Sequence, residues 1–170
     1  MNSAIIIPAR YASSRLPGKP LLRETGKYLI EHVYERASQS RLAQAVIVAT
    51  DDERIVSAVK SFGGTVAWTR SDHRTGTDRV AEVASNLQSD VVVNLQGDEP
   101  MVDPGSLDLL IGMMGRTDAD MATLAVPLTS ADQWRDPNCV KVVCGEGGRA
   151  LYFSRSPIPF MRDAEPTFNP

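Results

Sequence analysis

The chain has 170 residues, 42% hydrophobic and 23% charged, with 18 Lys and Arg against 21 Asp and Glu for a formal net charge of -3. That length fits one domain with a single core. The acidic balance argues against a nucleic-acid scaffold, and no apolar run approaches the ~20 residues of a membrane span or a signal-peptide core.

The first apolar run, Ala4 to Ile7, predicts a buried strand. It empties into a loop with three cations, Arg10, Arg15 and Lys19, stiffened by Pro8, Pro17 and Pro20. Positive charge gathered at a strand end in an acidic chain points to an anion such as a triphosphate. The pattern alone leaves open an ordinary solvated loop. Ile30, Val33, Tyr34 and Ala37 follow the stripe of an amphipathic helix. Ala45 to Thr50 reads as a strand covered on both faces. Thr50 with Glu53 forms a capping-box pattern for a helix carrying Ile55, Val56, Val59 and Phe62, stopped by Gly63-Gly64.

A short strand over Val66 to Trp68 comes next. Then Asp72-His73-Arg74-Thr75-Gly76-Thr77-Asp78-Arg79 leads into a helix marked by Val80, Val83, Ala84 and Leu87. Thr75 or Thr77 can cap that helix, and the same polar loop is suited to reading a nucleobase through backbone groups. No Ser or Cys nucleophile pattern accompanies His73, which reads as a loop residue rather than a base. Val91 to Leu95 is another buried strand, running into Gln96-Gly97-Asp98-Glu99-Pro100. Carboxylates there suit Mg²⁺, which is held by one or two carboxylates together with phosphate oxygens and water; exposed loop acids are the plainer alternative. Asp103-Pro104 opens a helix through Leu107, Leu110 and Ile111.

Strands are expected near Met121 to Val126 and from Val140 to Cys144, the latter pairing with Ala150 to Ser154 through the Gly145 to Gly148 turn. Cys139 and Cys144, placed in one strand at that spacing, point to opposite faces and are expected to stay reduced. Pro157, Pro159, Pro166 and Pro170 crowd a tail that reads as an extended arm, and the chain is expected to be cut from something longer.

Serial βα units predict an α/β fold with a doubly wound, mainly parallel sheet, whose ligands bind at the C-terminal strand ends. Neither a G-x-x-x-x-G-K-[ST] loop nor a G-x-G-x-x-G follows the first strand, which removes the usual NTPases and disfavours a dinucleotide enzyme.

Taken together, Ile7 to Pro20, Val48-Ala49-Thr50-Asp51, Gly76-Thr77-Asp78-Arg79, Asn94 to Pro100, Met121 to Pro127, Pro137 to Val143 and Leu151-Tyr152-Phe153-Ser154-Arg155 resemble the 3-deoxy-manno-octulosonate (Kdo) cytidylyltransferases. The resemblance implies a Rossmann-like, nucleotide-diphospho-sugar transferase-like fold. It also implies transfer of CMP from CTP to Kdo, with release of pyrophosphate, for lipopolysaccharide synthesis. Carried over by position, Arg10, Lys19 and Asp98 would be catalytic, with Asp98 holding Mg²⁺. CTP would meet Ala9, Arg10, Arg15, Lys19, Thr75, Gly76, Asp78 and Arg79, and the sugar would meet Gln96, Tyr152 and Arg155. Residues 1–130 would form the nucleotide-binding core, with 131–170 beginning a sugar-binding and dimerisation region.

A cytoplasmic homodimer is implied, without nucleic-acid or membrane partners. Two departures stand out. Arg74-Thr75 replaces the Gln-Ser or Pro-Ser of many relatives, leaving Arg74 without a role. Family members also continue beyond Pro170, with a further metal-binding Asp, so the acceptor half is expected to be incomplete. A non-catalytic CTP-binding domain and an enzyme for an 8-amino Kdo analogue are the competing readings.

Overall fold

A computed structural model describes residues 1–12, 16–163 and 166–168, arranged as two compact units, Met1–Thr123 and Leu124–Pro170. In the first unit, β1 (Ser3–Pro8), β2 (Ala45–Thr50), β3 (Val66–Trp68) and β4 (Val91–Asn94) form one sheet in the order β3-β2-β1-β4. All the pairings are parallel, with Ile5 opposite Val46 on one side and Val93 on the other. The helices are α1 (Leu29–Ala37), α2 (Glu53–Ser61), α3 (Gly76–Ala84) and α4 (Pro104–Met114).

Alternation along β1 explains why helices cover both faces. Ile5 and Ile7 pack with Ile30 and Val33 of α1, Ile55 and Val59 of α2, and Leu107 and Ile111 of α4. Ile6 points the other way and packs with Val80 and Val83 of α3. A strand buried on both sides has no use for polar alternation, hence its continuous apolar sequence. This is the doubly wound sheet the pattern predicts. The chain leaves β1 toward β2 and β3, then returns to place β4 on the opposite side of β1, so the switch in strand order falls between β1 and β4.

Most helix ends follow the sequence signals. Thr75 caps α3 reciprocally with Asp78, and Asp103 caps α4 ahead of Pro104. The α2 cap differs from the expectation. Asp52, not Thr50, accepts the Arg54 amide. Thr50 ends β2, where its carbonyl receives the Thr69 amide at 2.9 Å and its hydroxyl the Asp52 amide at 3.3 Å. The acidic residue nearest the helix start won because Thr50 is needed by the sheet. After α2, Gly63 takes φ +79°, and the Gly64 amide returns to the Val59 carbonyl at 2.9 Å, closing the helix as a left-handed cap.

In the second unit, β5 (Lys141–Cys144) and β6 (Ala150–Ser154) form an antiparallel ribbon with a register shift after Val143. It follows a short helix, α5 (Ala131–Arg135), capped by the Ser130 hydroxyl. The ribbon matches the expected pairing, but no strand forms over Met121 to Val126. Met121 and Val126 are 87% and 86% exposed, so the apolar composition there has no sheet neighbour to serve. Cys139 precedes β5 rather than sharing it, and both cysteines are free thiols. Among the described residues, no helix is long and apolar enough to cross a membrane.

Candidate functional site

At the switch point, the turn leaving β1 and the turn leaving β4 wall a cleft of about 320 Å³. Ala9 is fixed there by the 2.9 Å bond from its amide to the Ala49 carbonyl, and Leu95 by one from its amide to the Ile6 carbonyl at 3.1 Å. The cleft is lined by Ala9, Arg10 and Lys19 from the first loop and by Gln96, Gly97 and Asp98 from the second. The start of α3 adds Arg74, Thr75 and Gly76. Gly97 is required by close approach: a Cβ there would stand 3.1 Å from the Pro8 carbonyl oxygen. A side chain would therefore push the two strand ends apart.

The charges of the cleft are partly matched to one another. Lys19 Nζ lies 2.6 Å from Asp98 Oδ2, with the two side chains 39% and 49% exposed. A pair this wet contributes about 0–1 kcal/mol, so an incoming ligand displaces it at little cost. Arg10 donates through Nη2 to the His73 carbonyl at 2.7 Å and through Nη1 to the Arg74 carbonyl at 3.2 Å. Its Nε is buried and has no partner among the described residues. Gln96 donates to Asn94 Oδ1 at 3.2 Å.

Around this cleft the helix starts are tightly fastened. Thr75 accepts from the Asp78 amide at 3.1 Å while Asp78 accepts from the Thr75 amide at 2.9 Å. The hydrogen bonds from Thr75 hold the Asp78 carboxyl below the usual carboxylate range. The His73 ring is hydrogen-bonded to Glu82, and this contact lowers the Glu82 pKa.

The sequence-predicted residues that the structure describes divide into three groups. Ala9, Arg10, Lys19, Thr75, Gly76, Gln96 and Asp98 share the one cleft. Asp78 is spent in the helix cap, and Arg79 is buried, 2.9 Å from Asp51 and hydrogen-bonded to Thr69. Arg79 lines a second, smaller hollow of about 210 Å³ with Arg10 and Asp51. Its Nε, like that of Arg10, is buried and has no partner among the described residues. Tyr152 and Arg155 belong to the second unit: Tyr152 is exposed on β6, and Arg155 donates to the Pro137 carbonyl at 2.7 Å. Arg15 lies outside the described residues.

Sequence reasoning missed the clasp at the base of the cationic loop. The Arg54 guanidinium sits 3.2 Å from the centroid of the Tyr11 ring and is gripped through two bonds by Asp52. The Tyr11 carbonyl receives the Gly18 amide at 2.8 Å. Each of these residues is unremarkable in the sequence; Arg54 and Tyr11 meet only because β1 and β2 are neighbours.

The β3-β2-β1-β4 sheet with helices on both faces makes this an α/β protein, and its fold matches the nucleotide-diphospho-sugar transferase type. A family model described as cytidylyltransferase matches residues 4–169. The 3-deoxy-manno-octulosonate cytidylyltransferase of Syntrophotalea carbinolica is 51% identical over 96% of this chain and 66% of its own length. That of Escherichia coli is 51% identical over 96% of this chain and 67% of its own. A solved CMP:2-keto-3-deoxy-manno-octonic acid synthetase complexed with CTP superposes with a TM-score of 0.86 at 47% identity, covering 96% of this chain and 68% of that one. A 4-diphosphocytidyl-2C-methyl-D-erythritol synthase, at 15% identity and a TM-score of 0.61, shares the fold. The chain belongs to the cytidylyltransferase family. It spans slightly less than two thirds of the length of the first relatives it matches, 66% of the Syntrophotalea carbinolica protein.

Proposed function

We propose that this chain binds CTP in the cleft between the β1 and β4 turns and serves transfer of CMP to 3-deoxy-manno-octulosonate. The observation that carries the reading is the Arg10–Lys19–Asp98 grouping at the switch point, in a chain 51% identical to enzymes of that name. In the reaction, the sugar's anomeric hydroxyl oxygen forms a bond to the α-phosphorus, the α–β bridging bond breaks, and the hydroxyl proton passes to solvent. The products are CMP-Kdo and pyrophosphate. Positioning and fixed charge do most of the work in such transfers.

Lys19 and Arg10 offset the charge of the triphosphate and of the departing pyrophosphate. Lys19 exchanges its half-exposed partner Asp98 for phosphate oxygen, while Arg10, held by the carbonyls of His73 and Arg74, contributes its fixed charge. Thr75 and Gly76 border the nucleoside side of the cleft. Gln96 faces the ribose or the sugar acid, and Tyr152 and Arg155 contribute to sugar recognition. Mg²⁺ is the implied cofactor. The Asp98 carboxylate fits it, since this ion keeps phosphate and water ligands beside one or two carboxylates. Bound there, the ion would neutralise phosphate charge. The reading extends to a cytoplasmic homodimer, a setting that suits the free thiols of Cys139 and Cys144.

The test is pyrophosphate release with CTP, Mg²⁺ and Kdo. Release should require both substrates and fall on the order of 10²-fold in Asp98→Asn. CTP binding with no release under any acceptor, including an 8-amino Kdo analogue, would restrict this chain to nucleotide binding.

A further inference from the structure

Arg74 lines the cleft of Arg10, Lys19 and Asp98, and its place there is set by its own backbone. The Arg10 guanidinium grips the carbonyls of His73 and Arg74, so the segment that presents the Arg74 side chain is tied to the cationic loop. The following residue, Thr75, is locked in the α3 cap. Arg74 therefore extends from a fixed root, although its side chain is exposed.

Among the described residues, the carboxylates that share a cleft or hollow with Arg74 are engaged elsewhere. Asp98 pairs with Lys19 at 2.6 Å and Asp72 with Arg70 at 3.3 Å. Asp78 accepts from the Thr75 amide, and Glu82 from His73 and from the Arg70 amide. Among the described residues the Arg74 guanidinium makes no hydrogen bond or ion pair, so its five N–H donors stay available to a ligand. Arg10 differs, because both of its Nη groups already serve carbonyls. A planar donor fork with no internal partner, beside a lysine whose own pair is wet and weak, suits an oxyanion.

Resting on the nucleotide reading above, we infer that Arg74 is a further triphosphate-binding residue, contacting the phosphates beyond the α position. It adds a cation to a cleft whose walls concentrate the field on an anionic ligand. Its contribution grows with the number of phosphates, and it weakens with salt because the side chain is exposed.

The experiment is titration calorimetry of CTP and of CMP, each with Mg²⁺, against the wild type, Arg74→Gln and Arg74→Lys, at low and moderate ionic strength. Expected at low salt is a roughly tenfold rise in the CTP Kd for Arg74→Gln, a smaller one for Arg74→Lys, and less than about a twofold change for CMP. The Arg74→Gln penalty should shrink as salt is added. Because Arg74 is exposed, the variants should melt with the wild type, which separates lost contact from lost fold. A CTP Kd unchanged in Arg74→Gln, or CTP and CMP weakened equally, overturns this inference and leaves the nucleotide reading standing. A wild type that binds no CTP overturns the nucleotide reading and this inference with it.

Discussion

The two units bury their strands in opposite ways. In Met1–Thr123, Ile5, Ile6 and Ile7 are each 0% exposed, because helices cover both faces of a four-stranded sheet. In Leu124–Pro170, the two-stranded ribbon leaves Leu151, Tyr152 and Phe153 at 66%, 60% and 50% exposure. Similar apolar runs thus end in different environments, and the number of layers decides which. A two-stranded ribbon is marginal by itself. What fastens this one is polar: Lys141, 3% exposed, donates to the carbonyls of Asp136, Cys139 and Arg155 at 2.8, 2.7 and 2.9 Å. The first unit is held by hydrocarbon with polar clasps at the C-terminal ends of its strands. The second is held by a polar clasp with hydrocarbon left outside.

The largest expected effect tests the ligand-edge clasp of the first unit. Asp51→Ala leaves Arg79 buried at 1% exposure without its counter-charge, and should cost about 3–5 kcal/mol in denaturant unfolding. The three segments that Arg79 joins, after β2, after β3 and at the start of α3, should lose amide protection together. A cost below about 1 kcal/mol would mean that the pair is screened like a surface one, and the contrast between the units would narrow.

A smaller effect is expected from the second unit. Lys141→Met keeps the stem but strands three carbonyls, at a cost of about 1–3 kcal/mol. The loss should be local. Hydrogen exchange at the Val142 and Val143 amides should quicken, while the amides of β1 and β2 keep wild-type protection. Equal loosening in both regions would show that the units unfold as one.

How much of this was legible in the sequence follows the same division. Four strands and four helices of the first unit are signalled by periodicity, because burial on two faces writes itself as apolar runs and stripes. The Asp52 cap was misread because Thr50 and Asp52 both fit the cap chemistry, and the sheet's claim on Thr50 is non-local. Met121 to Val126, which runs across the boundary of the two units, carries strand composition without a strand, and α5 in the second unit is too short to leave a stripe. For the site, Arg10, Lys19, Gln96 and Asp98 were readable as strand-end residues, and topology then gathers them. The burial of Arg79 and the stacking of Tyr11 on Arg54 depend on which strands are neighbours, and local spacing carries no record of that.

The smallest effect is the response to acid, to which the carboxylates that cap helices in the first unit contribute beside Glu82 and Asp108, also held below their ordinary range. Asp52 is held below its ordinary range by the Arg54 side chain, Asp78 by Thr75, and Asp103 by the Ser106 amide. A carboxyl whose folded pKa lies below its unfolded value binds more protons when unfolded, so folding releases them. Its stabilisation is complete above the unfolded value, near pH 4, and is lost as pH falls through the depressed folded values. The melting temperature of the first unit should therefore be flat from neutrality to about pH 5 and decline below about pH 4. Asp78→Asn removes one of these groups while keeping an oxygen for the Thr75 amide, so it should lower stability at neutral pH and flatten the acid decline. If Asp78→Asn kept the full acid slope, the cap at the start of α3 would owe nothing to charge, and the first unit's edge would be fastened by hydrogen-bond geometry alone.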